Sequence, residues 1–248
     1  TLTGSGTMTL NQGALQPTLA GNFNLIKQTA SVTATISSTA NTFTGYTHVQ
    51  DGVLSIASVA DVGTASSLGA PTGDNANIRL GNVATTGTLL YTGAAASTNR
   101  NFMLTGTTGG GIIDNDGTGA LTLNGTIIGN EAGAKTLTLQ GATTGFSNVL
   151  NSSIDECIAT LSLTKAEAGT WVLANTNDYS GITTITAGTL QVNAATGGIG
   201  NSIASNAITL NGGILNLRND GSGNNGTIIY GSASNPTGYK VTLNATST

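Results

Sequence analysis

An all-β solenoid is the fold class this sequence predicts, and three observations predict it. First, apolar residues recur at period two in short bursts ended by Gly or Asn, as in Leu121-Thr122-Leu123-Asn124-Gly125 and Leu137-Thr138-Leu139-Gln140-Gly141. Period two sends Leu, Ile and Val to one face of a strand and Thr, Ser and Asn to the other. Second, helix formers are scarce. Only 7% of the 248 residues are charged, whereas there are 36 Gly. Ser, Asn and Thr draw the backbone into local hydrogen bonds, and Gly loses the most entropy on ordering, so both oppose helix. Third, the bursts recur closely, opening at Leu121, Leu137 and Leu161 and later at Leu190 and Ile208. Strands of about three to five residues cannot stand alone in water and need stacked neighbours to bury their apolar side. Coils of roughly 16 to 25 residues follow, about ten to twelve of them, in a rod on the order of 50 Å long. The chain is expected to form one parallel β-helix (β-solenoid), 1–248, with repeat-like segments 36–171 and 172–248.

Taken in order, the first burst is Met8-Thr9-Leu10-Asn11. Residues 41–56 (NTFTGYTHVQDGVLSI) then read as strand, Gly turn, strand, with Gly52 suited to a corner of positive φ. Gly109-Gly110-Gly111 is a turn and not a phosphate loop, because neither a trailing Lys-Ser/Thr nor a helix follows it. Leu121, Leu137 and Leu161 open further strands. Residues 177–192 (NDYSGITTITAGTLQV) repeat the pattern of 41–56 without gaps from the aromatic onward, Phe43 matching Tyr179 and Ile56 matching Val192 at one constant offset. Gly188 stands where Gly52 does, and Phe43 and Tyr179 are expected to cap the same corner of the interior. Leu190-Gln191-Val192, Ile208-Thr209-Leu210, Leu215-Asn216-Leu217 and Val241-Thr242-Leu243 complete the series.

Residues 169–192 (GTWVLANTNDYSGITTITAGTLQV) resemble the passenger-associated, or autotransporter-associated β-strand, repeat. Gly169, Thr170, Leu173, Asn177, Tyr179, Ser180, Gly181, Thr183, Ile185, Gly188, Thr189, Leu190 and Val192 carry the resemblance. Trp171 replaces a small aliphatic residue of that pattern. The earlier copy departs further, with Phe43 for Tyr, Tyr46 after Gly45 and Val53 for Thr. The resemblance touches most of residues 36–217. It implies a right-handed parallel β-helix of the kind found on large secreted or surface proteins of bacteria and sometimes of their phages. It marks an exported β-helix, not an activity.

Composition removes several function classes. Seven Lys and Arg set against 11 Asp and Glu, with a net charge of -4, do not fit a nucleic-acid binder, which needs cations to neutralise phosphates. The single Cys157 excludes an intramolecular disulfide and a Cys-based zinc site. No apolar run approaches the roughly 18 residues of a membrane span. A membrane β-barrel would need strands of about ten residues and aromatic girdles, for which five Tyr, four Phe and one Trp are too few. The chain opens on Thr1 without a signal peptide and reads as a processed product or a fragment.

Each candidate site has a plainer reading beside it. Asp114-Asn115-Asp116-Gly117-Thr118-Gly119 places oxygen ligands at positions one, three and five and Gly at six, as a calcium loop does, but its twelfth position is Gly125. The loop therefore reads as an Asx/Gly turn between coils. Asp155 and Glu156 are the adjacent acids, and neighbours in a strand face opposite ways, so they do not converge on a glycosidic bond. Asp178 reads as a turn residue, and Lys165 and Glu167 as flanking a coil corner. His48 alternates outward into solvent, Cys157 reads as a small buried hydrophobe, and Trp171 and Tyr179 read as core or cap. The sequons at Asn124, Asn151, Asn225 and Asn244 are expected by chance in so Thr- and Asn-rich a chain. No catalytic residue, cofactor or metal site is assigned. The expected role is a non-enzymatic extracellular stalk, adhesin segment or filament subunit. It would associate end to end or continue into a longer chain, with a glycan or host surface as possible contact. The alternative is a glycan-binding or glycan-cleaving β-helix.

Overall fold

The computed structural model describes residues 1–193, 202–203, 207–218, 229–230 and 240–243. The sequons at Asn225 and Asn244 lie outside the described residues. Among the described residues every pairing between strands is parallel, and the one helical element is a single 3-10 turn, Gly73–Ala76. The strands stack into a solenoid with three faces. The first face runs Leu2–Thr9, Leu19–Lys27, Thr47–Val49, Ile78–Leu80, Phe102–Leu104, Ile127–Gly129, Ile154–Asp155. The second holds ten strands, from Gly13–Leu15 and Thr33–Ile36 through Gly110–Asn115, Gly133–Gln140 and Ala159–Lys165 to Lys240–Leu243. The third holds six, from Ala96–Thr98 to Ile214–Arg218. No helix of the described residues is long and apolar enough to cross a membrane.

Among the described residues the winding amounts to about 8 turns, against the ten to twelve expected of the whole chain. Leu2 pairs with Leu19 in a short first coil, but Gly52 pairs with Gly87 and Leu137 with Leu163. The stretch from Leu121 to Leu137 joins two different faces and does not measure a turn: Leu121 pairs with Ala96 on the third face, and Leu137 with Gly111 on the second.

Stacking at constant register lines up like with like. One inward column of the second face runs Ala34, Leu54, Leu89, Ile113, Leu139, Lys165, Ile185, Leu210. Its members through Ile185 are at most 2% exposed. An outward column of the same face carries Thr138, Thr164, Thr184 and Thr209 at half-buried positions. Each fully buried Leu or Ile contributes about 1.5–3 kcal/mol, and each strand adds ladder hydrogen bonds to the one below. Stability is therefore local to neighbouring coils, as in other solenoids.

The two repeat copies fold alike but sit on different faces. Asn41 and Phe43 lie between Thr33–Ile36 on the second face and Thr47–Val49 on the first. Asn177 and Tyr179 lie between Thr170–Leu173 on the third face and Thr183–Ile185 on the second. The expectation that Phe43 and Tyr179 cap the same corner is corrected: the offset between the copies is not a whole number of turns, so the later copy is rotated by one face. The local chemistry is shared. Asn41 Oδ1 accepts the Leu19 N–H at 2.8 Å, and Asn177 Oδ1 accepts the Ile154 N–H at 2.9 Å, so each Asn satisfies a backbone donor of the coil below. Phe43 and Tyr179 are both buried, Phe43 stacking on Phe23 with ring centroids 5.0 Å apart. Gly45 and Gly181 follow the aromatics, and a Cβ at either would run into the carbonyl of Phe23 or Leu161 one coil below.

Candidate functional site

Most residues singled out in the sequence have structural work. Glu156 accepts hydrogen bonds from the backbone N–H and hydroxyl of Ser180, and Asp155 Oδ1 accepts the Cys157 N–H at 2.9 Å. These two acids brace a turn. Asp178 forms a bridge with Asp155 and is exposed. Trp171 is fully buried, its Nε1–H donating to the Gln140 carbonyl at 2.9 Å. Gly109 and Gly110 have φ of 87° and 157°, and a Cβ on Gly110 would strike the Thr136 carbonyl, so this run serves close stacking. Asn151 donates to Asn124 Oδ1 at 3.1 Å, forming a short amide ladder between coils.

Two readings are corrected. Cys157 is exposed: it sits at φ 51° in the turn between Ile154–Asp155 and Ala159–Lys165, and that turn directs it outward together with Ile158. His48 points outward as expected but is half-buried and not solvated. Its Nε2–H donates to the Gly81 carbonyl at 2.7 Å, with Thr105 Oγ1 at 3.1 Å, and burial pushes its pKa below the usual value.

The structure brings together a site the linear motif only hinted at. Asp114 lies near the end of the strand Gly110–Asn115, and Asp116 follows in the corner. Gln140 pairs with Asp114 one coil above, and Glu167 comes from the coil above that, just after Lys165. One oxygen from each of Asp114, Asp116 and Glu167 lies within 4.8 Å of the others. The Gln140 amide bridges two of them, donating to Asp114 Oδ2 at 2.8 Å and to Glu167 Oε1 at 3.3 Å. Asp116 Oδ1 accepts the Ala142 N–H at 2.9 Å. The remaining oxygens of two carboxylates, Asp114 Oδ1 and Glu167 Oε2, are buried without a hydrogen-bond partner. Asp114 is only 8% exposed. Its carboxyl is pushed up to about 6, chiefly by burial. The Gln140 hydrogen bond opposes the shift, and the Asp116 and Glu167 charges add to it.

Sequence reasoning found Asp114 and Asp116 as a pair but did not join Gln140 or Glu167 to them. The missing signal is coil length: the local winding sets position 140 over 114 and position 165 over 139.

The nearest cation does not relieve this cluster. Lys165 points into the solenoid, where its Nζ donates to the carbonyls of Ala166, of Glu167 at 2.6 Å and of Ala187 at 3.2 Å. Burial lowers its pKa to about 8, against the pull of Glu167. Lys27 and Lys135 do the same elsewhere. Lys27 donates to the carbonyls of Thr29 and Asp51, and Lys135 to those of Glu131 and Ala132. Arg100 is likewise buried, donating to the carbonyls of Leu68 at 2.9 Å and Gly69 at 2.7 Å. Arg79 lies over the Tyr46 ring, 4.0 Å from its centroid.

Comparison with known proteins agrees with this architecture. Residues 33–56 and 163–192 match the passenger-associated-transport-repeat family. These segments contain the two Asn–aromatic–Gly corners. Over 181 residues, 72% of its length, the chain is 32% identical to the adhesin BmaC autotransporter of Brucella suis biovar 1 (strain 1330). It spans about 5% of that much longer protein. No solved structure matches the chain.

Proposed function

We propose that this chain, which carries the passenger-associated-transport repeat at residues 33–56 and 163–192, serves outside the bacterial cell as a non-enzymatic passenger segment, an adhesin-like stalk. The observation that carries the proposal is the continuous parallel stack whose corners are the repeat itself. Such a stack makes a stiff rod, since every coil is fixed to the next by ladder hydrogen bonds and interior aliphatics. Its outward columns present Thr hydroxyls and Asn amides, which remain hydrated and suit weak multivalent contact with a host or glycan surface. The likeness to an adhesin of Brucella suis supports the extracellular placement. Asp155 and Glu156, the adjacent acids weighed for glycan cleavage, are engaged in bracing a turn.

Beads coated with the purified chain test this reading. They are expected to adhere to cultured host cells or extracellular matrix above beads bearing an unrelated solenoid, and to release no reducing sugar from polysaccharides. Adhesion equal to the control would remove the adhesive role, and sugar release would replace the stalk with an enzyme. A further part of the proposal is that the open edge of Leu2–Thr9 is covered by another coil, either of a longer chain or of a second copy, because exposed strand edges invite pairing. Sedimentation across a concentration series distinguishes the two, with growth into longer species expected for the second copy.

A further inference from the structure

We propose that Asp114, Asp116 and Glu167, joined by the side-chain carbonyl of Gln140, form a binding site for a hard divalent cation, Ca2+ by preference, that pins three successive coils together. The geometry fits. Oxygens bound to one Ca2+ at about 2.3–2.6 Å lie up to about 5 Å from each other, and the three carboxylates already meet within 4.8 Å. The donor set is all oxygen, which selects hard cations over zinc or copper.

The independent observation is the pair of orphan acceptors. Asp114 Oδ1 and Glu167 Oε2 are buried with no donor, and Asp114 is more than nine-tenths enclosed. Buried carboxylate oxygens without a partner are costly, and here like charges face each other as well. The protein offers a single neutral amide between them, Gln140 Nε2. The neighbouring ammonium, Lys165, is turned inward onto three carbonyls. A divalent ion would satisfy both orphan oxygens. It would also allow the Gln140 amide to rotate and present its oxygen. Ca2+ is favoured over Mg2+ because the ligands come from three coils at unequal heights, which suits a flexible coordination sphere better than a strict octahedron.

The test uses the full chain stripped with a chelator and titrated with CaCl2 by calorimetry, alongside thermal melts with and without the ion. One-to-one binding is expected, with a dissociation constant on the order of 10⁻⁴ to 10⁻³ M, in the range of extracellular calcium modules, and with a rise in melting temperature. Asp114→Asn and Glu167→Gln should each weaken binding at least about tenfold, one ligand's worth of charge, and abolish the calcium-dependent rise. Both substitutions relieve repulsion in the metal-free chain, so each variant should melt at or above metal-free wild type, which shows that it folds. Absence of heat and of any melting shift at millimolar Ca2+ or Mg2+ would overturn the proposal. So would binding undiminished in the double variant, which would place the ion elsewhere.

Discussion

Lys165 stands in an interior column between Leu139 and Ile185, where the period-two pattern calls for an aliphatic. It is tolerated because its ammonium closes a coil corner by donating to three carbonyls. Lys165→Ala would leave a cavity and those acceptors without a donor, at a cost of about 3 kcal/mol or more. Lys165→Met fills the space but not the hydrogen bonds and should lose less. Urea unfolding of the three proteins should rank them wild type, Met, Ala. A Met variant as stable as wild type would show that the carbonyl contacts count for little. Tyr179 gives a pH prediction. Its phenol is buried, hydrogen-bonded to Thr183 at 2.8 Å, and burial raises its pKa above the usual value near 10. The folded pKa exceeds the unfolded one, so this stability is complete below pH 10 and drains away as pH rises toward the folded value. Wild type should therefore lose stability above about pH 10 relative to Tyr179→Phe, as followed by chemical denaturation. Residues of this kind were the least legible in the sequence. In Leu161-Ser162-Leu163-Thr164-Lys165 register sends the Lys inward while its chemistry sends it outward, and only the carbonyls waiting at the corner decide the matter. Cys157 misled in the opposite sense, because a positive-φ turn overrode its apolar character.

Strands were easier to read than single residues. The bursts at Leu121, Leu137, Leu161, Leu190 and Ile208 all became strands, since alternation is a local property that stacking merely exploits. What alternation cannot convey is which face a strand joins, and this is why the two copies of the repeat were expected at one corner and occupy two. Leu190 illustrates the confident end of the scale. It is fully buried, in register with Trp171 below and Leu215 above. Leu190→Asp would place an unpaired charge in that column and cost several kcal/mol, on the order of 3–5. A variant with an unchanged thermal midpoint would show the column to be wet. The acid cluster sits between these extremes: Asp114 and Asp116 drew notice as a loop, but their partners come from later coils, and proximity across coils is invisible until the coil length is known.

At the scale of the whole molecule, four of the five Lys and Arg side chains within 1–193 are buried, while Asp114 is the one buried acid among the described residues. Across 1–193 the polar part of the outer surface is therefore mainly hydroxyls, amides and carboxylates, interrupted by exposed apolar side chains such as Val83, Ile158 and Ile182, with Arg79 laid flat on an aromatic ring. Proteases of the trypsin type need a Lys or Arg on a pliable, reachable stretch of chain. Across 1–193 they would meet four of the five sealed inside a hydrogen-bonded wall and the fifth, Arg79, held within a paired strand. Digestion of the native chain should leave this span intact for hours under conditions that cut the urea-unfolded chain within minutes, as a gel time course would show. Rapid native cleavage after Lys27, Lys135 or Lys165 would contradict the burial. A chain folded this way gains durability from having hidden the very residues by which it would be dismantled.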